Sequence, residues 1–280
     1  MVLKLGLALD FQSATRPLSE HLAAYVSLIH RAEAVGFDSV SAGETYPTRM
    51  SAGHLPSPLL ALASIARETH LRLGTGVVLL PAWNPLRLAY DAAVLDQISG
   101  GRAFLGVGLG GTAVHRRFGF DPSRLADYMD DALAALRALW SGERGFTGKT
   151  FAIDGGIGLL PIQQGGPPLF VGGSIRRSVE RAATWGDGYI ASSNYSVNKV
   201  AQQSQRYRAA LSERGKNPAI GQVMVNRLTL VAETDAKARE DARRYVGAVL
   251  QAYARTGSLG QDERIMSASP ADLFEEFDAD

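Results

Sequence analysis

The 280-residue chain has no cysteine, which excludes disulfides, thiolate nucleophiles, iron–sulfur clusters and Cys-ligated zinc, and accords with a reducing compartment. Long apolar runs are also missing. The stretch 2–9 carries Lys4 and ends at Asp10 rather than at a small-residue cleavage site, and no other segment approaches the roughly 18 apolar residues of a membrane span. A cytoplasmic protein with no membrane partner is predicted. Neither sign of charge dominates: 29 Lys and Arg against 28 Asp and Glu leave +1, without the basic block that nucleic-acid phosphates require, so no nucleic-acid partner is expected. The five histidines show no i, i+4 pair and no H-E-x-x-H, so no metal site is expected. A G-x-S-x-G nucleophile elbow and a Walker phosphate loop are likewise absent.

What remains is a chain 46% hydrophobic and 20% charged, enough for a large packed core. After a first strand at 2–9, Leu18, Leu22, Tyr25, Val26 and Ile29 recur at helical spacing up to Gly36. The alternation then repeats: strand 38–42, helix 59–69, strand 71–80, a helix opened by Asn84 and Pro85 and closed by Gly100 and Gly101, strand 102–107, and a long helix from 121 to 140. Beyond an irregular excursion at 141–168, where FTGKTFAID can form a short hairpin, come strand 169–171, helix 175–182, strand 188–191, helix 198–214, strand 223–231 and helix 235–253. Seven strands alternate with seven helices, and several strands are continuously apolar, as parallel strands covered on both faces must be. The expectation is an α/β protein, a TIM (β/α)8-type barrel formed as a single domain over 1–280, with the eighth strand not visible before the end at DLFEEFDAD.

Glycine clusters mark three strand ends. Gly106, Gly108 and Gly111 satisfy G-x-G-x-x-G literally, but the next helix is expected only from Asp121, and Asp130, near the offset of a ribose-binding acid, falls inside it. The dinucleotide reading fails on context, and the glycines are read as letting a buried strand leave the barrel close to a ligand. Gly74 and Gly76 interrupt the third strand, either for a bulge and close backbone approach or for packing against a bulky neighbour. Gly172 and Gly173 precede Ser174 at a helix start, where free amides suit phosphate. Glu44 ends the second strand, Tyr46 follows it, and His54 and His115 lie in strand-to-helix loops, which in a barrel face the catalytic mouth. His21, His30 and His70 fall on helices or at their ends and carry no such expectation.

The segment GTGVVLLPAWNPLRLAYDAAVLDQISGGRAFLGVGLG at 74–110, with RALW at 137–140 and PLFVGGSIRRSVERAATWGDGYI at 168–190, resembles the bacterial luciferase-like flavin-dependent oxidoreductases. That resemblance implies a barrel binding reduced FMN or the deazaflavin coenzyme F420. It places Gly76 and Val77 behind the ring, Leu109 and Gly110 along it, and Gly172, Gly173 and Ser174 at the phosphate. It implies a monooxygenase acting on a small organic substrate, with deazaflavin-dependent hydride transfer or flavin binding without turnover as alternatives. A separate flavin reductase would be the partner, and a homo-oligomer formed through the early helices the assembly. Glu44, Tyr46, His54 and His115 are the acid–base candidates. Thr45 stands where many members carry His, Leu109 where luciferase itself carries a phosphate-binding Arg, and Gly111 where deazaflavin sugar-phosphate dehydrogenases carry Glu.

Overall fold

The computed structural model describes residues 3–9, 11, 17–46, 55–255, 265 and 267–278. The chain runs β1 (Gly6–Leu9), α1 (Leu18–Ala34), β2 (Ser39–Ala42), α2 (Pro58–Ile65), β3 (Arg72–Thr75), β4 (Val78–Leu79), α3 (Pro85–Ser99), β5 (Ala103–Gly108), α4 (Thr112–Arg117) and α5 (Leu125–Trp140). It continues with β6 (Gly145–Thr147), β7 (Ala152–Asp154), β8 (Leu169–Gly172), α6 (Arg176–Trp185), β9 (Gly188–Ala191), α7 (Val197–Glu213), β10 (Gln222–Val225), α8 (Asp235–Arg255) and α9 (Pro270–Asp278). Strands pair in parallel in the order β1-β2-β3-β5-β8-β9-β10, with β4 alongside β5. This is the curled sheet of a TIM-type α/β fold, and among the described residues it stays open between β10 and β1.

The strand period of two divides the core. Phe104 on β5, Phe170 on β8 and Ile190 on β9 form an inner cluster with Val77 and Met224, while their neighbours Leu105, Val107, Leu169, Val171 and Tyr189 join the core beneath the helices. That alternation fixes which glycines must be glycine. A Cβ on Gly74 would sit 2.3 Å from the Phe104 ring, and one on Gly188 2.4 Å from the Phe170 ring.

Helix limits follow the sequence signals where these are strong. Asn84 Oδ1 accepts from the amides of Leu86 and Arg87 at 3.0 and 3.2 Å, and Gly100 closes α3 at φ +66°. Elsewhere the structure departs from the expectations. Strand 71–80 is broken into β3 and β4, the loop after β5 contains α4, and strand 223–231 shortens to β10. Beyond the Asn226 amide, which donates to Ala191 O at 3.4 Å, residues 226–231 find no partner strand among the described residues, and Leu228, Leu230 and Val231 stand exposed. The tail forms α9 because Ser269 and Asp272 make a capping box: the Asp272 amide donates to Ser269 Oγ at 3.2 Å and the Ser269 amide to Asp272 Oδ2 at 3.4 Å. With α8 it builds a separate apolar cluster of Leu250, Ala254 and Leu273. The excursion at 141–168 contains the β6–β7 hairpin.

Candidate active site

Neighbouring strands bring the glycine-marked segments to one rim. Gly74 pairs with Phe104 and Val78 with Val107, so β3 and β4 advance four residues while β5 advances three. The extra residue is a bulge at Gly76–Val77, a cis peptide. It is held on its other side by β2 and the residues after it, the Gly76 amide donating to Ala42 O at 3.0 Å and the Glu44 amide to Val77 O at 2.8 Å. Backbone meets backbone here: a Cβ on Gly43 would lie 3.1 Å from Gly76 O, and one on Gly106 2.3 Å from Thr75 O. Since β5 pairs with β8 through Val107 and Val171, the Leu109–Gly110 and Gly172–Ser174 segments emerge beside the bulge at the carboxyl ends of their strands. Of the two uses of strand glycine, Gly74 serves packing and Gly76 the bulge.

Glu44 occupies the bulge's edge at 4% exposure. Its Oε2 accepts the Leu79 amide at 2.6 Å and the Trp83 indole N–H at 2.8 Å, and its Oε1 accepts the Tyr46 hydroxyl. Burial pushes the Glu44 carboxyl above the ordinary carboxylate range, against the pull of those three donors. The Tyr46 hydroxyl is also raised, by burial and then by the acid beside it. Glu44 and Tyr46 thus form a hydrogen-bonded pair of ionisable groups, both raised by burial. Tyr46 packs edge-on against Phe118 and lies under the Arg117 guanidinium. Thr45 is committed elsewhere, its Oγ1 accepting the Leu55 amide at 2.9 Å.

Leu79 joins this corner to the next segment, because its side chain backs Gly110, which adopts φ +69°. His115, 6% exposed, donates from Nε2 to Leu109 O at 2.9 Å and so pins that turn. Gly111 caps α4 directly. A short helix that the sequence pattern does not show, α4, therefore opens at Thr112, ahead of the helix expected from Asp121, and removes one of the two objections to a dinucleotide reading. The second objection stands: Asp130 is inside α5 and binds Arg177 and Arg181 at 2.6 Å each. At the third segment Gly173 takes φ +141° over Ser178, and α6 opens at Arg176 with Ile175, rather than the expected Ser174, at its N-cap. His54 lies outside the described residues. Among those described, no group of three or more His, Asp or Glu is placed to hold a metal ion.

Residues 3–276 match the family described as luciferase-like monooxygenase. The chain belongs to that family. Within it, the chain is 26% identical over 225 residues to the oxygenase component of a flavin-dependent trigonelline monooxygenase from Acinetobacter baylyi, an alignment covering 76% of this chain and 60% of that protein. It is 32% identical over 216 residues to an F420-dependent hydroxymycolic acid dehydrogenase of Mycobacterium tuberculosis, covering 74% of this chain and 59% of that one. The chain thus spans about three fifths of the length of these two relatives. Among solved structures, the monooxygenase RslO1 from Streptomyces bottropensis superposes with a TM-score of 0.82 at 26% identity, covering 91% of this chain and 80% of that one.

The luciferase-like mouth suits a ring with an anionic tail. Along its wall a Cβ on Gly106 or Gly173 would collide with neighbouring atoms at 2.3 Å, one on Gly76 would make only ordinary contact with Ser41, and Gly111 has nothing within 4 Å of a Cβ position. The sequence pattern names the glycines, Glu44 and Tyr46 as candidates, and the structure adds Trp83, Tyr189 and Gln203 as hydrogen-bond partners of Glu44, Gly173 and Ser174. Gln203 carried a signal: it is a polar residue in the buried stripe of α7, with Tyr207 and Ala210 at helical spacing.

Proposed function

We propose that this protein binds a flavin across the rim formed by Gly76–Val77, Leu109–Gly110 and Gly172–Ser174 and oxygenates a small organic substrate, using reduced FMN delivered by a separate flavin reductase in the cytoplasm. The observation that carries the reading is the convergence of three glycine-marked backbone segments beside a buried acid. The relative named as the oxygenase component of a flavin-dependent monooxygenase supports the choice of a flavin and of a separate partner component. Bound reduced FMN supplies the electrons that activate oxygen. The chain's own part is to seat the ring against the bulge, exclude water with Val77 and Leu109, and hold a proton on the Glu44–Tyr46 pair for the reacting substrate. His115 acts on the Leu109 turn, and His54 remains an acid–base candidate on its loop position alone. The exposed stripe of Tyr90, Val94 and Ile98 on α3, with Leu60 of α2, supports a homo-oligomer built through these helices within one barrel domain.

A second reading keeps the pocket and exchanges the cofactor: coenzyme F420 would deliver hydride. The 32% identical F420-dependent relative favours it. Titration of the purified protein with FMN, reduced FMN and coenzyme F420, followed by ring fluorescence or absorbance, separates the two. Tighter binding of reduced FMN supports the oxygenase, preference for F420 selects the hydride transferase, and binding of none of the three overturns both.

A further inference from the structure

Two side chains hold the carbonyls of the turn between β8 and α6 from beneath, with Tyr195 hydrogen-bonded to Tyr189 and to the Ser174 side chain beside them. The Tyr189 hydroxyl donates to Gly173 O at 2.9 Å, and Gln203 Nε2 donates to Ser174 O at 2.6 Å. Tyr189 is fully buried and Gln203 is 2% exposed. Each reaches the turn from a different element: Tyr189 from the helix-facing side of β9, and Gln203 from the buried face of α7, one helical turn before Tyr207. Apolar packing alone would favour Leu at position 203, because a buried amide must be hydrogen-bonded to be tolerated. Gln203 Oε1 is in fact buried without a partner among the described residues. The amide is therefore retained for what its N–H does.

We propose that Tyr189 and Gln203 are positioning residues that make this turn select an anion. In a trans peptide the C=O and the following N–H point in opposite directions. Anchoring the carbonyls of Gly173 and Ser174 on buried donors therefore turns the amides of Ser174 and Ile175 the other way, away from the core. The carbonyls that would repel a phosphate are engaged, and the donors that attract one are left with the opening amides of α6. Nearby guanidinium charge is already paired: Arg176 Nε with Glu180 Oε1 at 2.7 Å, and Arg177 Nη2 with Asp130 Oδ2 at 2.6 Å. Leu109 brings no charge. Oriented amides carry the selectivity for a phosphate-bearing ligand.

This inference rests on the proposed flavin reading of the mouth. The test compares ligands that differ in the phosphate: FMN with riboflavin, and coenzyme F420 with its phosphate-free deazaflavin precursor. Dissociation constants are measured by ring fluorescence for the unmodified protein, Tyr189→Phe and Gln203→Leu, alongside melting temperatures. The unmodified protein is expected to prefer the phosphate-bearing member. Each variant should lose about tenfold in affinity for it, the scale of one charge-assisted hydrogen bond, with the phosphate-free ligand unchanged. Tyr189→Phe removes a single oxygen and keeps the test decisive if Gln203→Leu does not fold. Equal weakening of both ligands, or an unaltered preference in folded variants, overturns the positioning role while leaving the flavin site intact. An unmodified protein that binds flavin without preferring phosphate overturns the phosphate assignment and this inference together, and one that binds no flavin overturns the function proposed above.

Discussion

The two polar corners of the mouth are built in opposite senses. At Glu44 a side-chain carboxylate gathers the Leu79 amide, the Trp83 indole and the Tyr46 hydroxyl, so that donors are consumed, and burial outweighs their pull to raise the carboxyl's pKa. At Gly173–Ser174 side-chain donors gather backbone carbonyls, so that acceptors are consumed and amides remain for a ligand. The polarity of each corner is set less by its charged residues than by which backbone groups are left unpaired. Burial sharpens the contrast, because a low-dielectric setting strengthens a satisfied group and penalises an orphaned one.

The sharpest way to break the anion corner is Gly173→Asp. It forces a side chain into φ +141°, places a Cβ 2.3 Å from Ser178 Oγ and adds a negative charge beside the amides. Affinity for FMN or coenzyme F420 should fall by about 100-fold or more, read by titration, while Gly111→Ala, where a Cβ meets nothing within 4 Å, serves as the tolerated control. The Glu44 corner breaks differently. Glu44→Ala strands the Leu79 and Trp83 donors, and urea unfolding should show a loss of about 2–4 kcal/mol; a loss below about 1 kcal/mol would mean that the carboxylate does not brace the bulge.

A smaller effect separates the corners by pH. Burial raises the folded-state pKa of Glu44 above its ordinary 4.5, so the folded protein holds this proton to higher pH than the unfolded chain does. That contribution to stability is complete below the unfolded pKa and is lost as pH rises through the folded value. Glu44→Gln keeps an acceptor for Leu79 and Trp83 and an N–H for Tyr46, and cannot titrate. Its stability relative to the unmodified protein should therefore improve as pH rises above the ordinary 4.5 and through the raised folded value, and a difference that stays constant as pH rises from there would refute the raised pKa.

The sequence displayed more of the frame than of the site. Strand and helix order was legible because buried parallel strands such as β5 read as continuous apolar runs, and because Asn84, Pro85 and Gly100 punctuate α3. Helix α4 escaped because it has no apolar stripe to reveal it. Strand β10 ends early because pairing, which residues 227–231 lack among the described residues, is a tertiary property that propensity does not contain. The glycine-bared segments could be read because missing side chains are visible in a sequence. Which carbonyl each buried donor would reach could not, because Tyr189 and Gln203 lie 16 and 29 residues from the carbonyls they hold.

Hydrogen exchange of backbone amides tests the shared rim most directly, comparing the protein alone with the protein saturated by whichever flavin it binds. Slowed exchange is expected together at 76–79, 109–112 and 173–177, with the β6–β7 hairpin unchanged. Protection at only one of these segments, or at the hairpin instead, would contradict a single cradle formed by the three strand ends.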